Sequence, residues 1–237
     1  QSGTVLLHNA ERLGLDLSRI DALALSHAHY DHTGGLAAVL PRLPPGLPCI
    51  ANPDLVRARY ERREGEEPRF IGLPLPTEEL AGRLEMRFPA APTAIVPGVW
   101  ATGPIAERPY FEGRSPQHVI PDGGGYRPDP YADDLSLVLE AGAGLVVLCG
   151  CCHAGLLNTL AHVRRHFDRE VVAVVGGTHL LSAGDDQLRQ AVQVLRDEYG
   201  SPRLFPNHCS GERAYLALAA AFGDRVGPCP AGMTLIF

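Results

Sequence analysis

Residues 26–35 read Ser26-His-Ala-His-Tyr-Asp-His-Thr-Gly-Gly35. The short apolar run directly before them, Ile20-Asp-Ala-Leu-Ala-Leu25, predicts a buried strand. Potential metal ligands therefore follow the end of a strand, which is where open α/β sheets bind ligands. Alternate residues of an extended loop point the same way, so one pair can bind one divalent ion and the next pair a second. These ligands are His27 and His29, then Asp31 and His32.

The rest of the chain alternates between strand and helix patterns. A helix over Leu36–Leu40, stopped by Pro41, and a strand over Cys49–Asn52 complete a β-α-β unit. Leu135–Glu140 and Leu145–Cys149 predict a hairpin, and amphipathic helices and short strands follow, ending in a strand at Thr234–Phe237. This alternation predicts an α/β protein with layered sheets and helices.

Three further histidines follow apolar runs that read as strands, namely His153, His179 and His208. One such histidine is usually a packed polar residue, but three at strand ends favour a common metal centre. We expect His153 and His208 to be ligands. His179 is either a ligand itself or a residue that contacts a ligand or the substrate. His162 and His166 read as a solvated helix face.

The cysteines do not have the spacing of a secreted disulfide framework. The cluster Cys149-Gly-Cys151-Cys152 contains a C-x-x-C spacing, but no second cysteine pair completes a zinc knuckle. We interpret these residues as small buried side chains, with Cys151 or Cys209 as additional candidates for metal contact. This cysteine usage favours a reducing, cytoplasmic location.

Composition excludes several classes of protein. Of 237 residues, 45% are hydrophobic and 20% charged, which is typical of a globular protein with a core. The formal net charge of −6 argues against a general nucleic-acid or anionic-membrane binder. No apolar run approaches the roughly 20 residues of a transmembrane helix. The charge-dense and proline-rich residues 53–130 predict an irregular insertion within a single domain, 1–237.

His27-Ala-His-Tyr-Asp-His32 matches the H-x-H-x-D-H signature of the metallo-β-lactamase superfamily. With Gly150-Cys-Cys-His-Ala-Gly155, Gly176-Gly-Thr-His-Leu180 and Asn207-His-Cys-Ser-Gly211, the chain resembles the branch related to archaeal 7,8-dihydropterin-6-yl-methyl-4-(β-D-ribofuranosyl)aminobenzene-5′-phosphate synthase. The resemblance implies an αββα sandwich with metals at one edge. Because family members open with strands before a Gln-Ser-Gly like residues 1–3, it also implies that the first N-terminal strands are missing from this chain.

The sequence departs from the hydrolytic members of the superfamily at two places. Ala101-Thr-Gly-Pro104 stands where those members have a third-motif histidine, and Gly-Cys-Cys-His153 stands where they have a bridging aspartate. Both departures put ordinary lactamase-type hydrolysis in doubt.

The resemblance implies a dinuclear centre, with zinc as the first choice and manganese, magnesium or iron as alternatives. His27, His29 and His153 would bind one ion, and Asp31, His32 and His208 the other. Asp31 and His179 are the candidate catalytic residues. We expect a hydrolase or synthase that acts on a phosphate-bearing or pterin-like small molecule. The alternatives are a non-catalytic sensor that retains its metals and an iron-based redox protein.

Overall fold

The structure is a computed structural model that describes residues 2–237. The chain forms two compact units, each of which is built from two segments. The first unit comprises residues up to 89 together with 115–133, and the second comprises 90–114 and 134–237. Among the described residues, none of the helices combines the length and the apolar character needed to span a membrane.

The helices and strands follow one another along both units. The α-helices are α1 Thr4–Arg12, α2 Tyr30–Thr33, α3 Leu36–Val39, α4 Thr77–Ala81, α5 Leu156–His166, α6 Asp185–Asp197 and α7 Glu212–Phe222. The strands are β1 Leu23–Ala24, β2 Leu47–Ile50, β3 Tyr60–Glu61, β4 Arg69–Phe70, β5 Leu84–Arg87, β6 Thr93–Val96, β7 Val99–Ala101, β8 His118–Asp122, β9 Gly125–Pro128, β10 Leu137–Ala141, β11 Gly144–Cys149, β12 Val171–Gly177 and β13 Arg203–Asn207.

The first unit contains a parallel sheet and an antiparallel one. In the parallel sheet the strand order is β1-β2-β5, with Leu23 opposite Cys49 and Leu47 opposite Leu84. The antiparallel sheet has the order β4-β3-β8-β9. The predicted β-α-β unit is confirmed, and the loop of residues 25–29 leaves β1 at its carboxyl end. The ligand-rich loop therefore lies at a strand terminus.

The second unit is built on a six-stranded sheet of order β13-β12-β11-β10-β7-β6. The predicted hairpin forms β10 and β11, and β11, β12 and β13 run parallel. Helices α5, α6 and α7 pack their apolar faces into the core of this unit, where Leu160, Leu195 and Leu218 are buried. Because parallel strands end at the same edge, the motifs after β11, β12 and β13 come together there.

Two regions differ from the sequence-based picture. Residues 53–130 contain seven short strands, of which β5 joins the parallel sheet and β6 and β7 join the six-stranded sheet. The predicted strand at Thr234–Phe237 is wrong. Leu204 of β13 accepts its hydrogen bond from Gly227 instead, and the C-terminal Phe237 packs its ring on Phe205 at 6.0 Å. The apolar residues at the C-terminus form side-chain contacts rather than a strand, because Gly227 already occupies the edge of β13.

Gly176 provides a test of how tightly β11 and β12 pack. It has φ +115°, and a Cβ there would lie 2.0 Å from the carbonyl oxygen of Cys149. We expect Gly176→Ala to lower the free energy of unfolding by about 2–4 kcal/mol, measured by urea denaturation. Gly142→Ala is the control, since a Cβ there meets nothing within 4 Å. Equal stability of the two variants would contradict the described packing.

Candidate metal centre

The ligand-rich loop of the first unit brings its histidine rings together. His27 and His29 are buried, with ring centroids 4.7 Å apart, and the ring of His32 lies 4.2 Å from that of His27. Asp31 and His32 lie on the short helix α2, and their side chains approach to 3.5 Å. This is the close grouping of His27, His29, Asp31 and His32 that the sequence predicted, within one unit.

The backbone of this loop is fixed by a buried carboxylate. Asp133 accepts a hydrogen bond from the backbone N–H of Ala28 at 2.7 Å, between the two buried histidines. The hydroxyl of Thr33 donates to the carbonyl oxygens of Ala28 and His29, each at 3.0 Å. The hydroxyl oxygen of Ser26 lies 3.0 Å from Nδ1 of His27. These contacts restrict both the path of the loop and the orientation of the His27 ring.

Asp133 is in turn held by a buried arginine. Arg59 is fully buried, and its Nη2 lies 2.7 Å from the second oxygen of Asp133. The same guanidinium lies 2.9 Å from Asp129 and 2.8 Å from Asp54. One cation therefore organises three carboxylates, one of which holds the histidine loop. Arg59 and Asp133 were missed by sequence reasoning, since neither belongs to a ligand motif.

His29 has a strongly perturbed pKa. Burial and, to a smaller extent, the charge of nearby His118 lower it from 6.5 to about 3. The ring centroids of His118 and His29 are 5.0 Å apart, and Tyr131 Oη lies 3.0 Å from Nδ1 of His118. The neutral imidazole that results is the form that binds metal ions. His118, which has no sequence neighbour of its kind, is thus a companion of the site that the sequence did not reveal.

The second unit places its three predicted residues after the parallel strands. His153 follows β11, His179 follows β12 and His208 follows β13. The rings of His153 and His179 have centroids 4.2 Å apart. His179 and His208 have φ of 51° and 49°, and Cys152 has φ of 63°. Non-glycine residues adopt this conformation only at an energetic cost, and such strain concentrates at functional sites.

Four of the five cysteines of the second unit form two pairs. Cys149 and Cys152 are buried with sulfur atoms 3.7 Å apart, which confirms the interpretation that they are small buried side chains. Cys151, Cys209 and His179 instead place ligand atoms within 4.8 Å of one another. Hydrogen bonds from Cys151 and from His179 lower the pKa of the Cys209 thiol, against the effect of burial. A soft cation would find thiolate and imidazole donors here.

Asp134 has the same role in the second unit that Asp133 has in the first. It is fully buried, its carboxylate accepts the backbone N–H of Ala154 at 2.8 Å, and burial raises its pKa to about 6. On the other side of this loop, Nδ1 of His153 lies 3.2 Å from the carbonyl oxygen of Gly113. Two consecutive aspartates therefore each fix the backbone beside a predicted histidine ligand. The Asp-Asp pair before β10 was the available sequence signal.

The remaining histidines bond to backbone oxygens or lie in solvent. Nε2 of His162 lies 3.0 Å from the carbonyl oxygen of Thr102, and Nδ1 of His166 lies 2.9 Å from that of His162. His162 is buried, so the sequence-based interpretation of a solvated face is wrong for this residue. His8 is exposed.

The donors in each unit fit divalent metal ions. In the first unit, the buried imidazoles of His27 and His29, of which His29 has a lowered pKa, and a carboxylate are the donors that zinc, manganese and iron accept. In the second unit, imidazole and thiol donors cluster on strained backbone. Both sets therefore offer donor atoms that divalent cations accept.

We expect Asp133→Asn to weaken metal binding by the loop about 10- to 100-fold. The substitution replaces one oxygen by an amide N–H₂, which must then face either the N–H of Ala28 or the guanidinium of Arg59, so a donor meets a donor. Competition with a chromophoric chelator measures the affinity, and circular dichroism shows whether the variant is folded. Asp122→Asn, at an exposed position of the same unit, is the control. A folded Asp133→Asn variant with unchanged affinity would contradict the positioning role.

Comparisons with known proteins identify the family and the fold. The family model described as the metallo-beta-lactamase superfamily matches residues 2–103. The crystal structure of Tm1679, described as a metal-dependent hydrolase of the beta-lactamase superfamily, superposes with a TM-score of 0.84 at 30% identity, covering 98% of this chain and 85% of that one.

Two curated proteins of Methanocaldococcus jannaschii are also similar. The 7,8-dihydropterin-6-methyl-4-(beta-D-ribofuranosyl)-aminobenzene-5'-phosphate synthase is 26% identical over 220 residues, which is 88% of this chain and 72% of the synthase. The uncharacterized protein MJ0448 is 25% identical over 217 residues, which is 91% of this chain and 79% of that protein. The resemblance to the synthase branch and the predicted α/β fold class are confirmed. The chain belongs to the metallo-β-lactamase superfamily and has its fold.

Proposed function

We propose that this protein is a metal-dependent enzyme that acts on a phosphate-bearing or pterin-like small molecule through two divalent ions, zinc in the first instance. The observation that carries the proposal is the pair of buried imidazoles, His27 and His29, held on a loop fixed by Asp133. Burial of two imidazoles beside a carboxylate has no packing advantage, and metal binding explains it. Membership of the superfamily and the similarity to the synthase support a metal-dependent enzyme.

The proposed ligands are the residues that the sequence motifs indicate, namely His27, His29, Asp31, His32, His153 and His208. This assignment rests on the order of the motifs along the sequence and on the geometry within each unit. The substrate class rests on the compound for which the synthase is named, a pterin derivative that carries a phosphate and that a synthase forms as its product.

Divalent ions in such a site supply Lewis-acid stabilisation of negative charge and lower the pKa of water. In hydrolysis, the carboxylate of Asp31 would accept a hydrogen bond from the attacking water and so orient it. The imidazole of His179, placed by its strained backbone after β12, would donate a hydrogen bond to the substrate oxygen that gains negative charge. In a condensation the same two residues would hold the leaving group and the incoming nucleophile.

The position of Thr102 favours chemistry other than that of lactamases. Thr102 lies in Ala101-Thr-Gly-Pro104, the segment that corresponds to the third-motif region of hydrolytic members and has no histidine. Its hydroxyl accepts the backbone N–H of Ser136 at 3.0 Å and donates to the carbonyl oxygen of Gly103 at 3.0 Å. Both hydrogen-bonding functions of the hydroxyl are thus used within the fold. We therefore propose phosphoester, pyrophosphate or pterin substrates rather than β-lactams.

Elemental analysis of the purified protein, together with a substrate panel, tests the proposal. We expect about two equivalents of zinc or manganese, lost in the His29→Ala/Asp31→Ala double variant and retained in the control double variant His8→Ala/Asp122→Asn, which changes exposed residues of the same types. We also expect turnover of at least one phosphoester, pyrophosphate or dihydropterin substrate, which the first double variant lacks.

Three other outcomes would contradict the proposal. No bound metal after reconstitution would reject the metal centre. A full metal complement without turnover on the whole panel would favour a metal-retaining sensor. Iron with visible absorption that changes on reduction would favour a redox protein.

A further inference from the structure

Phe111 is the most exposed aromatic side chain among residues 2–237, with 75% of its surface accessible. It belongs to the second unit and lies in the segment of residues 102–114, which follows β7. Exposed aromatic side chains are common on flexible loops, where their exposure does not indicate a binding site. The segment around Phe111 is instead held by hydrogen bonds from two helices.

The backbone on both sides of Phe111 is fixed by side chains from helices α5 and α6. Asn158 accepts the backbone N–H of Tyr110 and donates to its carbonyl oxygen, both at 2.9 Å. Gln187 donates to the carbonyl oxygen of Phe111 itself at 2.9 Å. Both helices therefore hold this short stretch by polar contacts, while the ring projects into solvent.

The next two residues tie the segment to the loop of His153. Glu112 is buried, and its carboxylate accepts the backbone N–H of Asn158 at 2.9 Å. Gly113 has φ +72°, and a Cβ there would lie 2.5 Å from the carbonyl oxygen of His153. A Cβ on Gly155 would lie 2.3 Å from Cγ of Glu112. The segment thus packs directly on the backbone that carries a predicted metal ligand.

A positive charge accompanies the ring. The guanidinium carbon of Arg114 lies 5.5 Å from the centroid of Phe111, within the range of a cation–π contact. Arg114 is exposed and forms no ion pair with any carboxylate of residues 2–237. An aromatic face and an uncompensated guanidinium on a rigid backbone are the elements that bind a planar ring with an anionic substituent.

We propose that Phe111 and Arg114 form the recognition site for a planar heteroaromatic ring that carries an anionic group, with Phe111 stacking on the ring and Arg114 pairing with the anion. The inference rests on the proposed function for its link to catalysis, because the site is attached to the loop of His153. It adds specificity-determining residues outside the metal ligands. The polar contacts from α5 and α6 explain how the ring can stay in place without being buried.

Binding of pterin-6-carboxylate to the full chain, measured by titration calorimetry, tests this site. We expect Phe111→Ala to weaken binding roughly 10-fold, since losing one stacked ring costs about 5- to 150-fold in affinity, and Phe111→Trp to retain it. Arg114→Gln is expected to weaken binding of pterin-6-carboxylate but not of unsubstituted pterin. Phe88→Ala, at an exposed phenylalanine of the other unit, is the control and should bind as the unchanged protein does.

The outcomes separate this inference from the metal proposal. Unchanged metal content in Phe111→Ala, with unchanged binding of glycerol 3-phosphate, would support a site for the ring. Ring binding that persists in metal-free protein and is lost in Phe111→Ala would support the inference even if the metal proposal fails. No measurable binding of pterin-6-carboxylate, or equal affinity in Phe111→Ala, would overturn it. Self-association that Phe111→Ala abolishes, with pterin affinity unchanged, would also overturn it.

Discussion

The carboxylate of Asp133 connects the buried charges of the first unit to its histidine loop. One oxygen accepts the N–H of Ala28 and the other lies against the guanidinium of Arg59. Removing one partner of a buried ion pair typically costs about 3–5 kcal/mol, because the remaining charge is left without compensation. The position of the loop is therefore coupled to the stability of the network. Loop residues in general are mobile, and here a buried ion pair restricts them.

The same network sets the electrostatic environment of the loop. Three carboxylates, those of Asp54, Asp129 and Asp133, surround the guanidinium of Arg59, and Asp54 also pairs with Arg57, so the formal charge of the group is negative. Excess negative charge beside imidazoles favours the binding of a cation over an empty site. Arg59 thus orders the carboxylates, while its own charge adds to burial in lowering the pKa of His29.

The candidate ligands that lie close together in the sequence could be predicted from it. His27, His29, Asp31 and His32 lie within six residues, and the strand before them is a short apolar run, so both could be predicted. Sequence reasoning also placed His153, His179 and His208 after strands, because parallel strands end at one edge of a sheet. The α/β fold class followed from the same alternation of patterns.

The supporting residues could not be predicted in this way. Asp133 acts on a residue 105 positions earlier in the chain, and His118 meets His29 from a distant strand. No periodicity links such pairs. The strand predicted at the C-terminus does not form, for a related reason. An apolar segment can pair as a strand only where the edge of another strand, distant in sequence, is free. Gly227 already donates to Leu204 at that edge.

The most direct test of the account is a crystal structure of the zinc-loaded protein with anomalous diffraction data collected at the zinc edge. We expect an anomalous peak about 2.0–2.1 Å from an imidazole nitrogen of both His27 and His29, and a second peak at Asp31 and His32. Peaks confined to Cys151, His179 and Cys209, or none at the histidine loop, would contradict it.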